Sequence, residues 1–468
     1  MINLAISRLV EILGAQNATE RNDVAVDVSF NGVTIDSRGS CDQQLFVAIK
    51  GDHFDGHDFV DTAYQNGAIV ALVEQPVDSK ITQIKVSDCK RAMATLARYW
   101  RRHCHPIVIS LTGSNGKTTV KEMLYQILEK QSSAHATSGN FNNDIGVPLT
   151  LFGLCESDDF AIIEMGANHR GEIELLAGIA EPDIVYVNNV AASHLTGFGS
   201  VQGVIEAKSE LYAYCKPEHK ALFNIDEVAS DFWQGVCAAE TRLTCGINKA
   251  ADVTATWQAG ESGMEINFSY QGQSNSCELA VMGEHNARNA LAAVSLAILA
   301  GLELPQVVSN LAGFSGVKGR LQMMRGPASS RLINDSYNAN PDSLEAGIKV
   351  VCALPGSAWL ALGDMGELGS ESESLHRIAA QTAAKYGIKR FFGVGEMSCI
   401  ASEEFGDGGY CFDSINDMGA SILAHINADV NLLVKGSRSA GMERLVTLLT
   451  AADIGAIADK RGENSNAV

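Results

Sequence analysis

The sequence predicts an α/β fold in three domains: a small N-terminal α/β domain, a central phosphate-loop domain with a mostly parallel sheet, and a C-terminal Rossmann-like domain. Three observations indicate it. The chain has 468 residues, too many for one ordinary core. Short apolar runs alternate with helical patterns, which is typical of parallel sheets. The glycine-containing stretch "LTGSNGKTT" at 111–119 joins an apolar run to a helical pattern.

We place the domains at 1–88, 89–315 and 316–468. The first alternates short runs such as "LFVAIKG" and "AIVALVE" with turns. The second opens with the helical "RAMATLARYWRRHCH" and holds the predicted strands "PIVISLTG", "FAIIEMG", "DIVYVNNV" and "HKALFNI", a β-meander at 253–281 and a helix at 286–302. We predict a hinge at "FSGVKGRLQ", 314–322, and the predicted strands "SSRLINDSYN", "AWLALGDMG", "KRFFGVG" and "NLLVKGSRS" follow it. No G-x-G-x-x-G lies among them, so nothing there predicts a dinucleotide site.

Composition narrows the function. A net charge of −20 and a pI near 4.9 disfavour binding to nucleic acids or membrane surfaces. The eleven cysteines show neither C-x-x-C nor zinc spacing, and we interpret them as buried apolar side chains in a reducing compartment. No secretory signal is apparent, and the longest apolar run is too short to span a bilayer. We expect a cytoplasmic protein, and a monomer.

The stretch at 111–119 has most features of a phosphate-binding loop. Gly113 and Gly116 let the backbone turn its N–H groups toward an anion, and the following helix adds its positive end. Lys117 would reach the β- and γ-phosphates, and the Thr118 hydroxyl would face Mg²⁺. Leu111 stands where the common loop has its first glycine. The predicted ATP-binding part of the loop comprises Gly113, Ser114, Asn115, Gly116, Lys117, Thr118 and Thr119. The alternative is a strand–turn–helix junction with a chance lysine.

The form T-G-x-x-G-K-T resembles the loop of the Mur ligases and of folylpolyglutamate synthetase. This resemblance implies that the loop holds ATP for activation of a carboxylate, and that the chain has the fold described above.

A metal cluster is predicted beside the loop. Glu164 and His194 follow two apolar runs, so together with Thr118 they would lie at three strand ends. Taken singly, each is more often a loop or helix-cap residue. Mur ligases have a glutamate and a histidine in matching motifs. In that family the lysine of an A-K-x-x-[LI]-[YF] segment, here Lys208, can be carbamylated and then hold a second Mg²⁺. A lone helical lysine is otherwise a solvated surface residue.

The resemblance also implies the remaining contacts. In "GEHNARNALAA", Asn286 and Asn289 would meet adenine, unless the pair only caps a core helix. Arg320 would reach the γ-phosphate and Asp335 the ribose, with Tyr337 and Asn338 beside it. The segment at 33–60 resembles a UDP-sugar-binding start, although its spacing alone fits any small α/β fold. The predicted substrate contacts are Ser37, Arg38, Lys50, Gly51, Asn140, Asn142 and Asn143.

Within the family, "INDSYNANPDS" and "LGDMGELG" resemble the member that adds D-alanyl-D-alanine, and no D-N-P-R of the diaminopimelate-adding relative is found. The implied reaction joins D-Ala-D-Ala to UDP-N-acetylmuramoyl-tripeptide, with ATP and Mg²⁺, through an acyl phosphate. The third domain would close over ATP and bind the dipeptide. The predicted catalytic residues are Lys117, Lys208, His194 and Arg320. The alternatives are another amino-acid ligase of the family, a phosphate-loop kinase and a non-catalytic nucleotide-binding protein.

Overall fold

The computed structural model describes residues 1–17, 28–51, 54–192, 195–260 and 263–451. Its strands form four sheets, of two, five, nine and six strands. The three larger sheets follow one another along the chain, so the predicted three-part α/β organisation is confirmed. The exact domain boundaries remain a prediction.

The N-terminal part contains a strand pair and a five-stranded sheet. The pair is β1 with β3, and the sheet has the order β2-β7-β6-β5-β4. Strands β4 to β7 are parallel, and β2 is antiparallel to β7. Its elements are β1 (Asn3–Ala5), α1 (Ile6–Leu13), β2 (Gln16–Asn17), β3 (Ser29–Asn31), β4 (Val33–Thr34), β5 (Leu45–Val47), α2 (Val60–Gln65), β6 (Val70–Val73) and β7 (Thr82–Lys85). The helix α3 (Cys89–Cys104) leads to the next sheet.

The central sheet has nine strands in the order β16-β15-β14-β13-β12-β11-β8-β10-β9. The pairs from β9 to β14 are parallel, as predicted, and β14 to β16 form the predicted antiparallel meander. The elements are β8 (Ile107–Thr112), α4 (Lys117–Glu129), β9 (Ala134–Ala136), α5 (Gly146–Phe152), β10 (Phe160–Glu164), α6 (Glu172–Ala180), β11 (Ile184–Val187), α7 (Leu195–Phe198), α8 (Val201–Ala213), β12 (Lys220–Asn224), α9 (Ser230–Val236), β13 (Thr241–Gly246), β14 (Val253–Ala259), β15 (Met264–Tyr270), β16 (Gln273–Leu279), α10 (Glu284–Leu299) and α11 (Leu304–Leu311).

Helices cover both faces of the central sheet. Buried side chains of α3, α5, α6 and α8 form one core, and those of α4, α10 and α11 form the other. The strand–loop–helix order of a phosphate loop is therefore realised by β8 and α4, with α10 packed beside α4. Helix α10 begins at Glu284 and ends at Leu299, so it starts two residues before the predicted helix and ends three residues earlier.

The C-terminal sheet has six strands in the order β17-β18-β22-β19-β20-β21. Only β17, which pairs with β18, is antiparallel. The elements are β17 (Gln322–Arg325), β18 (Arg331–Asp335), α12 (Pro341–Ala353), β19 (Ser357–Gly363), α13 (Ser372–Tyr386), β20 (Arg390–Val394), α14 (Glu396–Phe405), β21 (Gly409–Phe412), α15 (Ile415–His425), β22 (Val430–Lys435) and α16 (443–451).

The predicted hinge lies between α11 and β17. Gly316 and Gly319 have φ values of 91° and 74°, a left-handed backbone conformation that residues with a side chain rarely adopt. Val317 pairs with Arg320 in an isolated antiparallel bridge. The segment therefore makes a tight turn directly before Arg320.

The expectation that all cysteines are buried apolar side chains was wrong for five of them. Cys399 and Cys411 form a disulfide between α14 and β21, Cys155 is exposed, and Cys277 and Cys352 are only partly buried. The two bonded cysteines lie on neighbouring elements of the fold. Their spacing in the sequence is not C-x-x-C, so it did not reveal the disulfide. None of the helices in the described part of the chain is long and apolar enough to cross a membrane.

Candidate active site

A large cavity lies where the carboxyl ends of the central strands face the C-terminal sheet. Its volume is about 1140 Å³. Both domains contribute to its walls, which is where α/β folds commonly bind ligands. The predicted site residues that line it are Ser114, Asn115, Gly116, Lys117, Thr119, Asn140, Asn142, Asn143, Glu164, Lys208, Asn286, Asn289, Arg320, Asp335, Tyr337 and Asn338.

The loop requires glycine at 116. Gly116 has a φ of 76°, and a Cβ there would lie 2.4 Å from Asn289 Oδ1 and 2.6 Å from Asn188 Nδ2. Because both neighbours are held by hydrogen bonds, no side chain fits. Glycine therefore brings the backbone at the start of α4 against α10, and the N–H groups of the first turn face the cavity without intrahelical partners.

Asparagine side chains fix the loop from outside. Asn188 Nδ2 donates to Asn115 O at 2.8 Å and to Asn289 Oδ1 at 3.1 Å. The backbone N–H of Asn115 donates to Asn189 Oδ1 at 2.8 Å, and that of Ser114 donates to Asn189 O at 3.0 Å. These two amides are used within the protein, so the amides of 116–119 are better placed to meet a phosphate.

Lys117 folds back along the loop. Its Nζ donates to Gly113 O at 2.6 Å. Burial lowers the pKa of Lys117, the charge of Glu164 raises it, and that of Arg320 lowers it. An anion that binds between Lys117 and Arg320 would relieve the repulsion between these two cations.

Glu164 and Thr118 meet as predicted. Thr118 Oγ1 donates to Glu164 Oε2 at 2.8 Å, and both side chains are buried. Asn142 Nδ2 donates to the other oxygen, Oε1, at 2.9 Å. Arg320 Nη2 reaches the same Thr118 hydroxyl at 3.1 Å from the C-terminal side of the hinge. Asn142 thus orients the Glu164 carboxylate.

Lys208 is a buried lysine on α8. Its exposed fraction is 2%, although it lines the cavity. Burial, with a smaller contribution from the charge of Lys117, lowers the pKa of Lys208 well below its usual value. The alternative of a solvated surface lysine is therefore excluded, and burial shifts the amine toward its neutral form.

These residues fit Mg²⁺ through oxygen ligands. Among the described residues, no three His, Cys, Asp or Glu side chains lie close enough to hold a metal. A magnesium site needs fewer protein ligands, because Mg²⁺ keeps several waters and binds substrate phosphates. Thr118 and Glu164 supply a hydroxyl and a carboxylate at the end of the loop. The predicted ligand His194 lies outside the described residues.

The C-terminal domain contributes a buried ion pair. Lys435 is 2% exposed and pairs with Asp335 Oδ2, while its Nζ also donates to Asn338 O at 3.0 Å. Asp335 Oδ1 accepts from the backbone N–H of Leu321 at 3.1 Å. The predicted ribose-binding carboxylate is therefore held in place from two sides.

The Tyr337 ring lies near two guanidinium groups. Arg320 Cζ is 4.1 Å from the centroid of its ring, and Arg438 Cζ is 5.9 Å from it. Contacts of this kind are attractive because the ring face is negative. The ring thereby fixes the position of Arg320 beside the loop.

The predicted adenine contacts lie on the first turns of α10. Asn286 Nδ2 donates to Met282 O at 2.9 Å, and Asn289 Nδ2 donates to Asn286 Oδ1 at 3.3 Å. Both side chains are buried at the cavity wall. The helix-cap alternative is not what the geometry shows, since Gly283 is the residue that precedes α10.

The N-terminal predictions lie apart from the cavity. Ser37 is buried, whereas Arg38 is exposed and pairs with Asp36 at 2.7 Å. Lys50, also exposed, is 3.9 Å from Asp55, and Gly51 follows it. None of these four predicted contacts is in the cavity lining.

The two other predicted asparagines differ in their contacts. Asn143 Oδ1 accepts from the backbone N–H of Gly146 at 2.8 Å and so holds the start of α5. Asn140 is exposed at the cavity edge. The structure thus gives Asn143 a local structural contact in addition to its place in the cavity.

Sequence reasoning missed several cavity residues: Asn188, Asn189, Glu227, Arg288, Asn340, Asp342, Lys435 and Arg438. The first pair follows the apolar run "DIVYV", and a polar pair at a strand end could have been noticed. Burial raises the pKa of Glu227 and of Asp342, so both carboxyl groups are protonated more readily than usual. No pattern separated the others from surface residues.

Three family models match the chain. The Mur ligase family, catalytic domain, matches 29–101; the Mur ligase middle domain matches 111–297; and the Mur ligase, glutamate ligase domain, matches 319–438. The UDP-N-acetylmuramoyl-tripeptide–D-alanyl-D-alanine ligase of Escherichia coli (strain K12) is 38% identical over 452 residues, covering 96% of this chain and 99% of that protein.

Solved structures agree with these matches. A crystal structure of MurF from Acinetobacter baumannii superposes with a TM-score of 0.88 at 32% identity, and the match covers 96% of this chain and 99% of that one. MurF from Thermotoga maritima in complex with ADP has a TM-score of 0.81 at 24% identity, covering 91% and 98%, and shows the fold alone.

Proposed function

The chain belongs to the Mur ligase family, and on that premise we propose that it joins D-alanyl-D-alanine to UDP-N-acetylmuramoyl-tripeptide at the expense of ATP. The observation that carries the proposal is the near-full-length likeness to the Escherichia coli ligase of that name. The cavity between the two larger sheets supports it, since it combines a phosphate loop with a second polar wall.

In the proposed reaction, the terminal carboxylate of the tripeptide accepts the γ-phosphoryl group of ATP, and the dipeptide amine then displaces phosphate from the acyl phosphate. The early participants are anions, so cations must stabilise the transferring group. Lys117 and Arg320 have that role, because Lys117 Nζ lies along the loop at Gly113 O and Arg320 Nη2 reaches the Thr118 hydroxyl at the start of α4. Asn286, Asn289 and Asp335 would bind the nucleoside, with Tyr337 and Asn338 beside it.

Mg²⁺ would be held by Thr118, Glu164 and His194, and when bound it neutralises phosphate charge. Asn142 keeps the Glu164 carboxylate turned toward Thr118. We assign to Lys208 a carbamate that adds two oxygen ligands. Its burial at 2% exposure and its lowered pKa favour the neutral amine that such a modification requires.

The N-terminal domain would bind the uridine diphosphate through Ser37, Arg38, Lys50 and Gly51. These residues do not line the cavity, so the proposal requires the UDP-sugar to bind in the N-terminal domain while its peptide extends into the cavity. Asn140 and Asn143 would meet the peptide at the cavity edge. A cytoplasmic location, a monomeric state and the domain boundaries at 88 and 315 stay predictions.

The first test is a phosphate-release assay with ATP, Mg²⁺ and UDP-N-acetylmuramoyl-tripeptide, with and without D-Ala-D-Ala. We expect sustained release only with both peptide substrates. Sustained phosphate release with ATP alone would contradict the ligase assignment. Equal use of diaminopimelate would favour another ligase of the family, and phosphate transfer to a stable acceptor would favour a kinase.

A further inference from the structure

The carboxyl edge of the N-terminal sheet carries two cations and an acidic residue. Strands β4, β5 and β6 are parallel neighbours in that order. Arg38 follows β4, Lys50 follows β5 and Glu74 directly follows β6, so all three lie at the edge where these strands end. Open α/β sheets bind ligands at this edge, so the segments after β4 and β5 are the part of the domain best placed to meet an anion.

The backbone around Lys50 is tightly folded. Two short segments, 49–50 and 55–56, pack side by side after β5: Lys50 and Asp55 form an isolated antiparallel bridge, and the backbone N–H of Gly56 donates to Ile49 O at 2.9 Å. A Cβ at Gly56 would lie 2.7 Å from Ile49 N, so only glycine permits this approach. The position of Lys50 therefore depends on what holds the second segment.

Asp55 joins this pair of segments to a buried histidine. Its Oδ1 atom accepts from the backbone N–H of His57 at 3.0 Å and is 2.6 Å from His57 Nδ1. Its Oδ2 atom is 3.9 Å from Lys50 Nζ. The hydrogen bonds from the backbone N–H and then the ring of His57 lower the pKa of Asp55, and burial opposes the shift. One oxygen of an ionised carboxylate thus faces the histidine, and the other faces the lysine.

The second nitrogen of His57 fixes the position of its hydrogen. Nε2 accepts from the backbone N–H of Glu74 at 2.9 Å, so this nitrogen carries no proton. The single hydrogen of the neutral imidazole is therefore on Nδ1, which donates to Asp55. Glu74 Oε1 in turn accepts from the backbone N–H of Cys89, the first residue of α3. His57 thereby ties the Asp55 carboxylate to the end of β6 and the start of α3.

We propose that His57 is a positioning residue for the UDP-sugar: it turns Asp55 so that the second carboxylate oxygen holds the Lys50 ammonium at the sheet edge, where that ammonium meets the diphosphate. This inference rests on the proposed function. His57 itself does not touch the ligand in this arrangement, since its side chain is 5% exposed and both ring nitrogens are used within the protein.

Lys50 can bind a phosphate without leaving Asp55. Its side chain is 69% exposed and the ion pair is long, whereas Arg38 is held by Asp36 through contacts of 2.9 and 2.7 Å. An ammonium has three donors, so one can stay with the carboxylate while the others meet phosphate oxygens.

The gain from this arrangement is order in the lysine side chain. A free lysine loses much rotamer freedom when it binds, and a side chain that is already oriented loses less. The carboxylate also repels the diphosphate, but solvent screens charges at an exposed edge, so the orienting effect of Asp55 prevails.

The test separates the two contacts of the His57 ring. In His57→Asn the amide nitrogen takes the place of Nδ1 and still donates to Asp55, whereas in His57→Gln the amide oxygen takes the place of Nε2 and still accepts from Glu74. KM for UDP-N-acetylmuramoyl-tripeptide should rise about tenfold in His57→Gln, the lower end of the range for a charge-assisted hydrogen bond, and stay within about threefold of wild type in His57→Asn. In both variants kcat and KM for ATP should match wild type, because His57 does not line the cavity.

A double variant tests whether His57 acts through the lysine. Lys50→Met should raise KM for the UDP-sugar about tenfold or more, and His57→Gln should then add less than about twofold, because the two changes remove one interaction. Lys80→Met is the matched control: Lys80 is also exposed, but it precedes β7 and so lies at the opposite edge of the sheet. Its KM should equal that of wild type.

Equal KM values for His57→Asn and His57→Gln, or an undiminished effect of His57→Gln beside Lys50→Met, overturn the inference and leave the ligase assignment standing. An unchanged KM in Lys50→Met overturns the inference together with the proposed Lys50 contact. Failure of the wild type to use the UDP-sugar at all overturns the proposed function as well. If His57→Gln does not fold, Asp55→Asn decides: it should raise the same KM, and an unchanged or lower KM overturns the inference.

Discussion

Asn340 and Asn115 are hydrogen-bonded to each other across the interface of the central and C-terminal domains. Asn340 Nδ2 donates to Asn115 Oδ1 at 2.8 Å, although 225 residues separate the two. Asn340 also caps α12, because its Oδ1 accepts from the backbone N–H of Ser343 at 2.9 Å. One side chain thus joins the start of a C-terminal helix to the phosphate loop.

Asn340→Ser should separate these two contacts. Serine caps helices about as well as asparagine but is too short to reach Asn115, so thermal stability should hardly change. The closed arrangement loses about 1 kcal/mol, and KM for ATP should rise about fivefold. Asn340→Ala, which also removes the cap, should in addition unfold at a lower temperature. An unchanged KM in both variants would show that the interdomain bond does not matter for nucleotide binding.

Lys117→Ala should reduce kcat by about 10²- to 10³-fold, because it removes a cation beside the transferring phosphoryl group. Steady-state phosphate release measures this. Lys121→Met is a poor control, since Lys121 is buried and donates to Thr137 O at 2.6 Å. Lys130 is exposed at the opposite end of α4 and is the better control. The kcat of Lys130→Met should stay near that of wild type. A Lys117→Ala enzyme within threefold of wild type would make the loop merely structural.

Lys208→Ala should be nearly inactive, and a short carboxylic acid added to the assay should restore part of the activity. The acid would supply the oxygens that the carbamate provides. Lys208→Arg tests the alternative, in which Lys208 acts as a plain cation. Substantial activity of Lys208→Arg, with no rescue of Lys208→Ala by acids, would exclude the carbamate and leave the ligase assignment intact.

His285 should make the protein less stable in mild acid. Burial, followed by the charge of Lys435, lowers the pKa of His285 from 6.5 to about 4, and the charge of Glu284 opposes this. Between pH 6.5 and 4 the unfolded chain therefore binds a proton that the folded chain does not. The free energy of unfolding falls by up to about 3 kcal/mol as pH drops through this window.

Denaturant unfolding of wild type and His285→Gln at several pH values between 7 and 4 measures this contribution. The variant lacks the titrating ring, so its stability should decline less steeply over the same window. Parallel pH profiles for the two proteins would mean that His285 takes up its proton without unfolding, and the burial argument would fail.

The sequence predicted the fold through periodicity and the loop through its glycines. "PIVISLTG" and "TTVKEMLYQILEK" became β8 and α4, because an apolar run, a glycine turn and a helical pattern are local signals. Edge strands such as β17 and β21 were missed, since short half-buried segments lack such periodicity. Helix α10 was displaced by a few residues because it begins directly after Gly283 and not at Asn286.

The site residues also fall into two groups, those that local sequence signals predicted and those that they did not. Lys117 and Thr118 were found because they follow one another along the chain. Asn188, Lys435 and Arg438 were not, because their partners lie about 100 residues away along the chain and only the tertiary fold within each domain brings them together. Such residues carry no local pattern, so the sequence gives no physical reason to choose them.

The buried pair of Lys435 and Asp335 should show strong coupling. Both residues are under 10% exposed, and Lys435 also donates to Asn338 O. Lys435→Met leaves the Asp335 carboxylate buried without its partner, which typically destabilises a protein by about 3–5 kcal/mol. Asp335→Asn alone leaves the ammonium unpaired and should be costly for the same reason. The double variant removes both charges, so it should be more stable than the sum of the single changes implies, with a coupling energy of about 0.5–3 kcal/mol.

Denaturant unfolding of the four proteins closes this cycle, and additive single changes would show that the pair is solvated. KM for ATP, measured alongside, should rise in every variant that lacks Asp335, because the double variant regains stability but not the proposed ribose contact.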